Sequence, residues 1–101
     1  MAAQRFAQKL ISENFIMIFS KSYCPYCKRA KKTLEELGQK FQAIELNERD
    51  DGAEIQKYLF QRTNQKTVPN IFIRNVHIGG CDDLLAKKSD GSLQQLLQAP
   101  H

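Results

Sequence analysis

The chain has 101 residues, 42% of them hydrophobic, which suits one domain with one core spanning residues 1–101 and excludes a disordered polymer. The longest unbroken apolar run, residues 15–19, is far too short to cross a bilayer, so no membrane partner is expected. The formal net charge of +4 favours anionic partners, but no nucleic-acid motif accompanies it and aromatics do not interleave with the basic residues, so nucleic acid is not expected.

A first helix is expected over residues 3–13, where Ala3, Phe6 and Leu10 share a face, ending near Asn14. The stretch is mildly basic and lacks the apolar block of a secretory signal, and it reads as part of the fold rather than as a targeting segment. Residues 15–19 (FIMIF) are continuously apolar, as in a strand buried on both faces. The cysteine pair follows in KSYCPYCKRAKK, and Cys27, Ala30, Leu34 and Leu37 then fall on one helical face that Gly38 closes. The charges of Lys28, Arg29, Lys31 and Lys32 lie away from that face, toward solvent. A second strand is expected over residues 41–46. After a polar stretch, Ile55, Tyr58 and Leu59 make another helical stripe. Strand, helix, strand and helix in this order imply a parallel strand pair.

The pattern then changes. Thr67-Val68-Pro69-Asn70 leads into a strand at residues 71–73, Arg74-Asn75 can turn the chain, and Val76-His77-Ile78 returns as the second arm of an antiparallel hairpin. Gly79-Gly80 breaks that strand. Asp82 and Asp83 can cap a helix through Leu84 and Leu85, and Asp90-Gly91-Ser92 restarts a last helix with Leu93, Leu96 and Leu97 inward. The expected fold class is α/β: a four-stranded mixed sheet flanked by helices on both faces, with an additional N-terminal helix.

Three cysteines are an odd number at low density, which argues for a reducing compartment, with the cytoplasm the expected location. There a close pair is more often catalytic or metal-binding than structural. A zinc site needs four ligands, and the pool is Cys24, Cys27, Cys81, His77 and His101, with no second C-x-x-C. No metal is therefore expected. A static disulfide is disfavoured by the compartment, which leaves redox catalysis as the favoured reading. Cys24 sits where the helix begins, and Pro25 suits the first helical position because no amide hydrogen bond is lost there. The free amides of Tyr26 and Cys27, the helix dipole and Lys21 then stabilise a thiolate on Cys24. Cys27 lies one turn further in, on the buried face, suited to attack a mixed disulfide formed on Cys24. Cys81 reads first as a small side chain at a helix start. A regulatory role is a second reading, since helix-start amides lower a thiol's pKa.

Lys21, Cys24-Pro25-Tyr26-Cys27, Thr67-Val68-Pro69 and Gly79-Gly80-Cys81-Asp82-Asp83, in this order and spacing, resemble the glutaredoxin family and its dithiol C-P-Y-C class. The resemblance covers nearly the whole chain. Thioredoxin is a weaker match, lacking its C-G-P-C motif and preceding tryptophan here. The glutaredoxin resemblance implies a thioredoxin fold with a cis Pro69 facing the cysteine pair. It implies glutathione as co-substrate and no bound prosthetic group. It also implies a glutathione site. Lys21, assisted by Gln56, meets the glycine carboxylate. The Val68 backbone, beside Thr67, pairs with the tripeptide's cysteine like a short strand. The Asp82 amide takes the γ-glutamyl carboxylate, the Asp83 carboxylate takes the ammonium, and the Tyr26 ring lines the groove next to Cys81.

The implied activity is glutathione-dependent thiol–disulfide oxidoreduction by a monomer. Its partners are glutathione and glutathionylated or disulfide-containing proteins. Cys24 alone serves deglutathionylation, and Cys24 with Cys27 serves protein disulfides. The competing expectation is a glutaredoxin that carries an iron–sulfur cluster between two subunits, using Cys24 and external glutathione. Members of that kind usually have another residue where this chain has Pro25.

Overall fold

The computed structural model describes residues 2–98; His101, one of the candidate metal ligands, lies outside them. In chain order the elements are α1 (Ala2–Glu13), β1 (Ile16–Ser20), α2 (Pro25–Glu36), β2 (Gln42–Glu45), a 3-10 turn (Leu46–Glu48), α3 (Gly52–Thr63), β3 (Asn70–Ile73), β4 (Val76–Gly79), α4 (Cys81–Asp90) and α5 (Ser92–Gln98). The strands form one mixed sheet in the order β2-β1-β3-β4. β1 runs parallel to β2, with Ser20 opposite Glu45, and antiparallel to β3. This is the expected α/β architecture with helices on both faces.

Every residue of β1 is buried, because the two-residue period of a strand feeds both layers. Ile16 and Ile18 join Ile71 and Ile73 against Ala30 and Leu34 of α2, Leu84 of α4 and Leu93 of α5. Met17 and Phe19 join Phe72 on the other face, against Ala7 and Ile11 of α1 and Ile55 and Leu59 of α3. The β3–β4 turn is the two residues Arg74 and Asn75, both at positive φ (54° and 67°). That handedness matches the twist of the hairpin it joins.

The strand limits differ from the pattern-based ones by a residue. Phe15 sits at the sheet margin, where its carbonyl accepts the Arg74 amide at 2.8 Å, and Ser20 continues the strand as a fully buried polar residue. Leu46 is buried but starts the 3-10 turn. The basic run on α2 is not uniformly solvated either. Lys31 turns inward to an ion pair with Glu45 at 2.7 Å, both side chains mostly covered. A periodicity argument sees only the helix's own faces, whereas the partner carboxylate comes from β2, fourteen residues away.

Candidate active site

Cys24 is the residue that caps α2. Its backbone is extended (φ −85°, ψ 116°), and Pro25 takes the first helical position. The cap places its sulfur over the open end of the helix, where the Cys27 amide donates to Sγ at 3.3 Å. This is the cap-to-third-residue bond of a helix start, with sulfur standing where a serine oxygen usually stands. It uses one of the two amides expected from the sequence, that of Cys27. The turn before it is held by the Cys24 amide on the Lys21 carbonyl at 3.0 Å.

The two thiols have opposite surroundings. Cys24 is partly exposed and Cys27 is fully buried. Burial first, then the hydrogen bond with the Cys24 side chain, pushes the Cys27 thiol up; a backbone hydrogen bond from Lys21 and the Ser20 hydroxyl oppose the shift without cancelling it. The arrangement presents one accessible sulfur in a field of amide dipole and holds a second, protonated one directly behind it.

Beside Cys24 runs a groove of about 470 Å³ between the α2 start, the loop before β3 and the α4 start. One wall is the Thr67-Val68-Pro69 loop, whose Val68–Pro69 peptide is cis. The Val68 carbonyl lies 3.8 Å from the Cys24 sulfur. The other wall is Gly80, Cys81, Asp82 and Asp83, and Tyr26 forms the near end. Tyr26 is 58% exposed, an apolar ring left open to solvent beside the sulfur. At the α4 start the Asp83 carboxylate accepts the Gly80 amide at 2.9 Å. Gly79 has φ +118°, and a side chain there would run into the Asp83 carboxylate. Of the glycine pair, Gly79 therefore provides the close approach and the unusual turn read from the sequence, whereas Gly80 has ordinary extended backbone and open contacts.

The structure thus brings Tyr26, Thr67, Val68, Pro69, Cys81, Asp82 and Asp83 together around one groove, with Cys24 at its edge. Lys21 and Gln56 are not among the lining residues. Lys21 is half-buried beside the cysteine turn. The Gln56 side chain donates to the Lys66 carbonyl at 2.9 Å, next to the loop that carries Thr67. Asp83 is a cap as well as a groove residue.

Cys81 agrees with its first reading, a small covered side chain at a helix start, and not with the second, a regulatory thiol of lowered pKa. It is nearly fully buried, and that burial pushes the thiol up, outweighing the opposing effect of Arg29. A helix start lowers a thiol only when the sulfur reaches the free amides, and here the cap position belongs to Gly80. His77 pairs with Asn70 at 2.9 Å, and burial lowers its pKa. Among the described residues no group of three metal-ligating side chains forms.

One groove residue had no counterpart in the sequence reading. Gln65 donates to the Thr67 carbonyl at 3.0 Å and to the Pro69 carbonyl at 2.9 Å, tying the loop into its bend. The available signal was indirect. A turn built around a proline leaves carbonyls outside any ladder, and a nearby amide side chain is the natural donor.

A family model described as Glutaredoxin matches residues 16–78. The chain is 55% identical over 92 residues to glutaredoxin-1 of Rhizophagus irregularis, covering 91% of each protein. It is 47% identical over 97 residues to glutaredoxin-C2 of Arabidopsis thaliana, covering 96% of this chain and 86% of that one. A crystal structure of a buckwheat glutaredoxin–glutathione complex superposes with a TM-score of 0.93 at 48% identity, covering 95% of this chain and 87% of the other.

Proposed function

The chain belongs to the glutaredoxin family and is a glutathione-dependent thiol–disulfide oxidoreductase of the dithiol type, and we propose that Cys24 is its nucleophile, Cys27 its resolving thiol and the groove beside Cys24 its glutathione site. The observation that carries this reading is the capped sulfur. Cys24 accepts an amide hydrogen bond at a helix start and borders an open groove, while Cys27 is sealed behind it.

The Cys24 thiolate attacks the glutathione sulfur of a glutathionylated protein, and the protein thiol leaves. A second glutathione then attacks the Cys24 mixed disulfide and departs as glutathione disulfide. With a protein disulfide, Cys24 forms the mixed disulfide and Cys27 displaces it, leaving a Cys24–Cys27 bond for glutathione to reduce. The Cys27 amide, which donates to the Cys24 sulfur, stabilises negative charge there both when it attacks and when it leaves.

The tripeptide's charges have matching groups along the groove. Its cysteine backbone lies against Val68 and Thr67 in strand fashion. Its γ-glutamyl carboxylate meets the Asp82 amide at the start of α4, and its ammonium meets the Asp83 carboxylate, with Tyr26 covering the sulfur end. Lys21 supplies positive charge for the glycine carboxylate from the turn before α2. Gln56 acts from behind, through Lys66. One chain carries both thiols and every groove residue, so the working unit is a monomer. The chemistry consumes reduced glutathione, which places it in a reducing compartment such as the cytoplasm.

The test is a pair of activities on two variants. In an assay coupled to glutathione and glutathione reductase, Cys24→Ser abolishes reduction of both a small glutathione mixed disulfide and a protein disulfide. Cys27→Ser keeps most of the first activity and loses the second. Retention of mixed-disulfide activity by Cys24→Ser, or its loss in Cys27→Ser, would overturn the assignment.

A further inference from the structure

β1 ends at Ser20 and β2 at Glu45, yet the two chains stay tied beyond the last rung of their ladder. Ser20 stands opposite Glu45, and its hydroxyl donates to Glu45 Oε1 at 2.7 Å. Further along each chain, Ser22 meets Asn47. The Ser22 amide donates to Asn47 Oδ1 at 2.9 Å, and Asn47 Nδ2 donates back to Ser22 Oγ at 2.7 Å. The Asn47 side chain thus stands in for a peptide group, with its acceptor and a donor both used on one residue. Its own end of the tie is firm. Asn47 lies in the 3-10 turn whose first residue, Leu46, is buried in the α1–α3 layer. Gly52 packs so closely on the Leu46 carbonyl that a Cβ there would collide with it. Lys31 of α2 holds Glu45 through Oε2 at 2.7 Å.

Lys21 sits between the two ties. Its neighbours on both sides, Ser20 and Ser22, are fastened to the chain that leaves β2, and its carbonyl accepts the Cys24 amide at 3.0 Å. A cation on a free turn surrenders backbone freedom each time it meets an anion; on a tied turn that freedom is already gone. We infer that Asn47 is a positioning residue for glutathione: by fastening Ser22 it sets the backbone that presents Lys21 to the glycine carboxylate. The inference rests on the role given to Lys21 above. Asn47 is exposed and is not among the residues lining the groove. Its side-chain amide is spent on Ser22, so its influence passes through the turn. The Cys24 sulfur is held separately, by the Cys27 amide of α2, so loss of the tie falls on glutathione and spares the thiol.

A double-mutant cycle in the assay coupled to glutathione reductase tests this, with the apparent KM for glutathione, kcat and the rate of Cys24 alkylation by iodoacetamide measured on each variant. Asn47→Ala removes both bonds and is expected to raise KM roughly three- to tenfold, the worth of one or two hydrogen bonds, while kcat at saturating glutathione and the alkylation rate hold. That split marks lost binding rather than lost chemistry. Ser22→Ala removes only the bond to Oγ, keeps the one from the backbone, and raises KM less. Lys21→Ala raises KM by itself, and adding Asn47→Ala to it changes KM no further, because the residue through which Asn47 acts is gone. An unchanged KM in Asn47→Ala, effects that multiply in the double variant, or a fall in alkylation rate with Asn47→Ala overturns the inference and leaves Lys21 in its site. An unchanged KM in Lys21→Ala overturns the contact of Lys21 with the glycine carboxylate, and the inference with it. Should Asn47→Ala fail to fold, Ser22→Ala crossed with Lys21→Ala completes the same cycle.

Discussion

Asp83 does two jobs with one carboxylate, and they separate by substitution. It accepts the Gly80 amide at the α4 start, and in the proposed site it also meets the ammonium of glutathione. Asp83→Asn keeps an acceptor for Gly80 and removes the charge. Thermal stability is expected to change little, while the apparent KM for glutathione rises roughly fivefold, the equivalent of about 1 kcal/mol for an exposed charge pair. An unchanged KM would reduce Asp83 to a cap. The three thiols make a second residue-scale case. Cys27 and Cys81 are both pushed up from an ordinary value of 9.0 by burial. Native protein at neutral pH should therefore be alkylated by iodoacetamide at Cys24 alone, and at all three positions in denaturant. The linkage sign follows. A thiol whose pKa is higher folded than unfolded binds its proton more tightly in the native state. Its contribution is complete below the unfolded value and is lost as pH climbs through the folded one. Reduced protein should thus lose thermal stability on the alkaline side of pH 9, and Cys27→Ala should flatten that limb; an equally steep limb in the variant would remove Cys27 as its source.

The elements meet at the site through their ends. The start of α2 supplies Cys24, the start of α4 supplies Asp82 and Asp83, and the loop after α3 supplies Thr67 to Pro69. The loop is the least regular of the three. Gln65 spans it with two side-chain hydrogen bonds, and Gln56 adds a third at Lys66. Gln65→Ala leaves the Thr67 and Pro69 carbonyls to water in a partly exposed place, so the stability cost is expected near 1 kcal/mol. The larger effect should fall on glutathione, because Val68 presents its backbone from that loop. KM for glutathione should rise severalfold, while the rate of Cys24 alkylation stays unchanged. A drop in alkylation rate with KM constant would place Gln65 in the service of the thiol instead.

The whole molecule is a sheet with a hydrocarbon layer on each side, and β1 and β3 belong to both. Phe72 is the largest side chain that β3 sends to the α1–α3 layer, nearly fully buried and edge-on to Phe19 with centroids 6.0 Å apart. Phe72→Ala is expected to cost about 3–5 kcal/mol from lost burial and the cavity left behind. That is a large part of the roughly 5–15 kcal/mol that holds a domain together. Urea unfolding should show the midpoint falling sharply, with activity lost in parallel at growth temperature. A shift worth under about 1 kcal/mol would mean that α1 and α3 collapse into the gap.

Much of this fold was legible because its signals are local. The apolar run at residues 15–19, the helical stripes at Ala30 and Leu34 and at Ile55 and Leu59, and the Arg74-Asn75 turn each carry their own period or turn chemistry. The cysteine pair was legible for the same reason: cap, proline and buried partner lie within four consecutive residues, so the helix start alone places Cys24 outside and Cys27 inside. The tertiary structure decided whatever depended on groups distant in the chain. Lys31 looks like one more solvated cation until Glu45 arrives from β2. Cys81 stands near a helix start, yet packing buries it and raises its thiol where the amides alone would lower it. Gln65 acquires a purpose only when the loop folds back beneath it. Ser20 reads as the polar end of an apolar run, and only the parallel pairing of β1 with β2 sets its hydroxyl against Glu45. Periodicity states which way a residue faces on its own element; which group it then meets is decided by the packing of elements far apart in sequence.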